Sequence, residues 1–251
     1  TITIVAICAS RLIPGFQQIS TSLNVLNNNK FAIALLKDDI MRFDNPQDLY
    51  TIKTTKEDFK KLQFKNVHFS YGSNKKILKN INLEIKEGEK ICIVGESGSG
   101  KTTLLSIMMG LLDISQGQIL LNRKKLNKEN LNNFQKQIGY VTQDVFISDD
   151  TIINNIAIGE KKSDINMSKI NNVVELSNLK NLIDNSTEGL QSKVGTKGIK
   201  LSGGQIQRIG IARALYRNPN IIFFDEATSS LDENNEKIIM QNIFNAFKKS
   251  T

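Results

Sequence analysis

A chain of 251 residues with 39% apolar and 23% charged side chains can bury a sizeable core, which excludes disorder as its default state. Lys and Arg outnumber Asp and Glu by 33 to 25, giving a net charge of +8 that no single block of like charge accounts for. A solvated surface explains such a dispersed surplus; nucleotide, nucleic acid or an anionic membrane face are the partners it would otherwise suit. The cysteines are Cys8 and Cys92, and Cys92 stands in the apolar run Ile91–Val94, so the expectation is a buried thiol in a reducing, cytoplasmic setting.

In chain order, Thr1–Ala9 is apolar but far shorter than the ~20 residues a membrane crossing needs. It has neither the charged start nor the cleavage site of a signal peptide. The cut end of a membrane helix and a docked helix of a soluble protein both fit. From Pro14 to Phe43 apolar residues recur at Phe16, Ile19, Leu23, Leu26, Ala32, Leu35 and Leu36, close to helical spacing. One or two helices are expected, with a break at Asn27–Asn29. Asp44–Asp48 and Thr51–Glu57 are rich in turn formers and read as a linker, placing a domain boundary near residue 60.

Beyond it, Leu62–Phe69 and Ile77–Ile85 alternate with the period of strands about a turn at Gly72–Asn74, predicting an antiparallel pair. Ile91–Val94 reads as a buried strand and Thr102–Leu112 as a helix. Gln118–Leu121 and Ile138–Thr142 read as strands, Asp150 to about Leu190 as helical, Gly203–Arg217 as a helix, Ile221–Phe224 as a strand and Glu233–Lys249 as a last helix. The order is that of an α/β protein.

Three motifs carry chemistry. Gly95–Thr102 fits G-x-x-x-x-G-K-[ST] between an expected strand and an expected helix, the context in which glycine-loop amides and a helix N-terminus cradle phosphates. Gly95, Glu96, Ser97, Gly98, Ser99, Gly100, Lys101, Thr102 and Thr103 are its candidate residues. Lys101 is expected at the β- and γ-phosphates of ATP and the Thr102 hydroxyl on Mg²⁺. Ile221–Phe224 ends in Asp225, a carboxylate at the carboxyl edge of a sheet, suited to Mg²⁺; the next residue, Glu226, is the candidate base for an attacking water. Leu201–Gln205 opens a helix that Ser202 can cap, leaving the Gly203 and Gly204 amides open to an anion. One subunit hardly needs two phosphate sites for one ATP, so the second is expected to serve a two-fold related copy.

Together these segments resemble the nucleotide-binding domain of ATP-binding cassette proteins, from about residue 60 onward. The resemblance implies a P-loop NTPase (RecA-like) core sheet with an antiparallel β subdomain and an α-helical subdomain. It also implies ATP and Mg²⁺ as ligands and a head-to-tail dimer with the same or a homologous cassette. Tyr71 resembles the aromatic that stacks on adenine, and Gln143 the loop glutamine that contacts Mg²⁺ and water. Ser202, Gly203, Gly204 and Gln205 resemble the signature that clamps the partner's nucleotide, and Ser230-Leu-Asp232 the loop that crosses the interface. The family's histidine downstream of the catalytic glutamate has no counterpart here, and His68 alternates with core residues in a strand, so the expectation is MgATP binding with weak hydrolysis.

Residues 1–45 resemble the cytoplasmic end of a last transmembrane helix, 46–60 a linker and 61–251 the cassette. Ser192–Gly198 resembles the coupling segment of exporters, with Thr196 where a glutamate is common, and Arg11–Phe16 resembles a stretch in lipid-linked oligosaccharide flippases. This implies an exporter-type half-transporter in a cell (inner) membrane, its cassette on the cytoplasmic side, moving a lipid, glycolipid, peptide or drug-like substrate, with no nucleic acid partner. The alternatives are a soluble cassette ATPase of DNA repair or translation, and a nucleotide-gated regulator.

Overall fold

The computed structural model describes residues 2–43, 58–72, 75–228 and 230–251. The chain divides into two units, residues 1–53 and 54–251. The linker expected over 44–57 and two residues of the expected turn, Ser73 and Asn74, lie outside the described residues.

The described residues of the first unit form one helix, α1 (Ile2–Phe43), which runs through Pro14 and through Asn27–Asn29. The expected break is therefore corrected. Asparagine costs a helix only about half a kcal/mol relative to alanine, less than interrupting a long hydrogen-bonded ladder. Along it Leu12, Phe16, Ile19, Leu23 and Leu26 are exposed. Among the described residues, no helix is long and apolar enough to cross a membrane.

The described residues of the second unit form two sheets. β1 (Lys61–Tyr71) and β2 (Lys75–Lys86) form the expected antiparallel pair. β3 (Gln116–Leu121) joins the other edge of β1, and the short β4 (Lys124–Lys125) follows it, giving the order β2-β1-β3-β4. The alternation read in β1 is real: Leu62, Phe64, Val67 and Phe69 are buried. They pack with Ile107 and Met108 of α2 (Lys101–Met108) and Phe134 of α3 (Lys128–Gln135). His68 is half-buried in β1, its Nδ1 accepting the Asn80 N–H at 3.3 Å, as a structural histidine does.

The second sheet pairs β5 (Ile138–Val141) in parallel with β6 (Ile221–Phe224), in register from Ile138 opposite Ile221 to Val141 opposite Phe224. Over it lies a helical layer of α4 (Ile152–Ile156), α5 (Met167–Leu176), α6 (Lys180–Asp184), α7 (Gly203–Tyr216) and α8 (Glu233–Ala246). Ile152, Ile156, Ile170, Val173, Ile209, Ile211, Leu215 and Ile239 fuse these helices into one apolar cluster. Helix starts follow local chemistry: Thr151, Asn166 and Asp232 accept backbone N–H bonds at the N-caps of α4, α5 and α8.

Two expectations are corrected. Ile91–Val94 is not a strand, with Ile91 46% and Val94 87% exposed, and Cys92 is exposed rather than buried. The free edge of β6 is engaged instead by Thr251, whose N–H bonds Asn220 and whose carbonyl accepts from Ile222. A cavity of about 450 Å³ lined by Ile91, Ile93, Ile222, Phe224, Met240 and Phe244 separates the two segments. A β-prone tetrapeptide becomes a strand only with an edge in hydrogen-bond reach.

Candidate functional site

The glycine loop enters α2 through Gly100 at φ 95°, a left-handed N-cap with no side-chain hydrogen bond to the first helical amides. Those open N–H groups and the positive end of the helix dipole make an anion cradle. β2 presses on it from one side: a Cβ on Gly100 would lie 3.0 Å from Ile77 Cγ2 and 3.2 Å from Leu78 Cδ2. Lys101 curls over the loop, its Nζ donating to the carbonyls of Gly95 at 2.9 Å and Glu96 at 3.0 Å.

Across from the cradle, the carboxyl edge of the parallel sheet presents its two acids. The Asp225 N–H donates to Val141 O at 3.0 Å, extending the β5–β6 ladder one residue and fixing where the carboxylates emerge. The Thr102 hydroxyl donates to Asp225 Oδ1 at 3.3 Å, and the Tyr140 hydroxyl to Oδ2 at 3.4 Å. Burial, and after it the charge of Asp225, pushes the Tyr140 hydroxyl pKa up, keeping the group a donor. Glu226 is exposed and held at φ 51°, a left-handed backbone that costs a residue with a Cβ about 1 kcal/mol or more. Its Oε2 accepts from Gln143 Nε2 at 3.1 Å. The fold thus joins Thr102 with Asp225 and Gln143 with Glu226.

These groups fit the ligands they are expected to hold. Uncapped amides and an ammonium suit phosphate oxygens, and a hydroxyl beside a carboxylate is the hard-oxygen donor set of Mg²⁺. Among the described residues no cluster of three or more His, Cys, Asp or Glu could hold a metal by itself. Mg²⁺ is commonly completed by phosphate and water oxygens, so a pair of protein ligands suffices.

The second expected phosphate site lies at the start of α7. Ser202 Oγ accepts from Gln205 N at 3.3 Å and Gln205 Oε1 from Ser202 N at 2.8 Å, a reciprocal capping box. The Gln205 side chain is spent on its own helix, leaving exposed Ser202 and Gly203 as the reachable tip. No hydrogen bond joins this tip to the glycine cradle among the described residues; it abuts the 230–232 loop, where Asp232 caps α8. The side chain and N–H of Asn235, helped by the charge of Arg208, hold the Asp232 carboxyl below its ordinary pKa. Tyr71 is 55% exposed and packs edge-on against Phe69, with ring centroids 4.8 Å apart, leaving a face open.

Sequence reasoning missed Tyr140, whose place in the alternation of β5 marks it only as a strand residue, and the strained backbone of Glu226, which nothing in the sequence signals.

Comparison with known proteins identifies the family. The family model described as ABC transporter matches residues 78–229. The iron-sulfur clusters transporter ATM1 of Candida albicans mitochondria is 39% identical over 188 residues, 75% of this chain and 25% of that protein. An ATP-dependent lipid A-core flippase of Ralstonia nicotianae is 40% identical over 178 residues, 70% of this chain and 30% of its own length. The heterocyst differentiation ATP-binding protein HepA of Nostoc is 36% identical over 234 residues, 93% of this chain and 38% of that protein. The structure of a bacterial Atm1-family ABC exporter with ATP bound superposes with a TM-score of 0.73 at 30% identity, covering 81% of this chain and 35% of the other. The chain spans about a quarter to two fifths of the length of these relatives. A match running from β2 through the glycine loop and α7 to the residues beyond Glu226 leaves one conclusion: the chain belongs to the ABC transporter family.

Proposed function

We propose that residues 61–251 are the ATP-hydrolysing cassette of an exporter-type transporter, working as a pair with a second cassette. The observation that carries this reading is the pairing of Thr102 with Asp225 and of Gln143 with Glu226 beside an uncapped glycine cradle. On this reading the amides of 95–103 and Lys101 Nζ take the β- and γ-phosphates, and Tyr71 stacks on the base. Thr102 and Asp225 hold Mg²⁺, with Gln143 beside them; the ion supplies neutralisation of phosphate charge. Glu226 Oε2 orients a water and accepts its proton once the Gln143 amide shifts away. Ser202 and Gly203, with Gly204 and the Gln205 cap behind them, approach the partner's nucleotide, and Asp232 faces it across the interface.

Residues 46–60 serve as a linker, and 1–45 belong with a membrane domain of the same protein, for which the exposed apolar side chains of α1 are suited. ATP binds the closed pair better than the open one, and that difference drives the membrane part. The cassette lies on the cytoplasmic side of a cell membrane, and the substrate is a lipid, glycolipid, peptide or drug-like molecule; the lipid A-core flippase among the relatives supports the lipid class.

Lys101→Ala should weaken MgATP binding about 10- to 100-fold, the loss of a charge-assisted hydrogen bond, while the melting temperature stays put. Titration with a fluorescent ATP analogue measures it. Unchanged affinity would remove the glycine cradle from the nucleotide site.

A further inference from the structure

The exposed tip of α7 and the loop before α8 are separate in sequence but clasped in space. Gln207 is 4% exposed, and its Oε1 accepts the Ser230 N–H at 3.0 Å. The loop also lies against the tip: a Cβ on Gly204 would stand 3.1 Å from Ser230 O, and one on Gly203 3.5 Å from Ser230 Cβ.

A second connection closes the ring from the far side. Arg208 Nε donates to Gly204 O at 3.3 Å, and its Nη1 to Asn178 O at 2.7 Å. Asn178 sits at φ 52°, in the turn that follows α5. Its Nδ2 donates to Asn235 Oδ1 at 2.7 Å, and Asn235 binds Asp232 through its N–H at 3.3 Å and Nδ2 at 2.5 Å. Both ends of the 230–232 loop are therefore tied to the helix that carries Ser202.

We propose that the α7 tip and the 230–232 loop form one rigid surface offered to the partner's nucleotide, and that Gln207 is the positioning residue that fixes their spacing. Gln207 reaches the loop from a buried position on the second turn of α7 and acts through the Ser230 amide. This rests on the two-cassette reading above. Were the two elements independent, closing the pair would have to order each of them, and each ordering step subtracts from affinity. A preformed surface meets that cost during folding.

The test uses Gln207→Met, which keeps length and removes the acceptor, and Gln207→Glu, which keeps an acceptor for the Ser230 N–H. In the unliganded chain, hydrogen exchange at the Ser230 amide should accelerate about tenfold in the Met variant and return toward wild type in the Glu variant, with exchange across 95–103 unchanged in both. With saturating MgATP, sedimentation should show the Met dimer dissociating about tenfold more readily, the scale of one hydrogen bond lost with its donor left unsatisfied. Nucleotide affinity of the Met monomer should stay within about twofold of wild type. Wild-type exchange at Ser230 together with wild-type dimerisation in the Met variant overturns the role of Gln207. A wild-type chain that stays monomeric at saturating MgATP overturns the two-cassette reading, and the shared surface with it, whatever Ser230 does.

Discussion

Glu226→Gln is expected to abolish ATP turnover while leaving nucleotide binding intact, so that ATP-held dimers accumulate. The carboxylate stands just past β6, beyond the Asp225 whose backbone extends the ladder, with Gln143 Nε2 on one of its oxygens. An amide at the same position preserves the packing and can still accept from Gln143, but cannot take a proton from water. General-base contributions of this kind are worth about 10²–10⁴-fold in rate. Phosphate release and size-exclusion chromatography with MgATP, each against wild type in the same polypeptide, read the two halves of the prediction. A variant that turns over at the wild-type rate, or that stays monomeric where wild type dimerises, would move the catalytic role elsewhere.

Gly117→Ala should be the most damaging conservative change in the β layer. Gly117 has φ +94° at the start of β3, where the register of β1 and β3 shifts between Lys65 and His68. A Cβ there would stand 2.3 Å from Asn66 O and 2.7 Å from Lys65 O, both rigid backbone of the neighbouring strand. Backbone strain and overpacking together are worth about 3 kcal/mol, or a fall of roughly 6–12 °C in melting temperature for a chain of this size. Thermal unfolding followed by circular dichroism measures it. Nucleotide affinity below the transition should remain close to wild type, because the cradle takes no support from Gly117.

The candidate site was largely legible in the sequence because each of its parts is local. A phosphate cradle is one contiguous run of glycines closed by Lys101 and Thr102, and a capped helix tip announces itself through Ser202 and Gln205 three residues apart. An acid at the end of an apolar strand is equally visible in Ile221–Asp225. What stayed hidden was contact between distant segments. Tyr140 meets Asp225 across 85 positions and Gln143 meets Glu226 across 83, and no local pattern encodes either distance. Helix α3 was missed although Asn127 and Asn130 close a capping box at its start, because it is short and mostly polar, with Phe134 as its buried side chain.

The same division runs through the fold. Sequence alone determined the alternation of β1, the caps of α4, α5, α7 and α8, the glycine cradle and the paired acids, since each follows from residues within a turn or a strand of one another. Tertiary structure alone decided the fate of Ile91–Val94, whose β-prone residues stay unpaired because a cavity separates them from β6. It also decided the demand for glycine at 117, which comes from the carbonyls of another strand. Local hydrogen bonds and side-chain periodicity are written in consecutive residues, whereas an edge to pair with, or a backbone to avoid, exists only after the chain has folded onto itself.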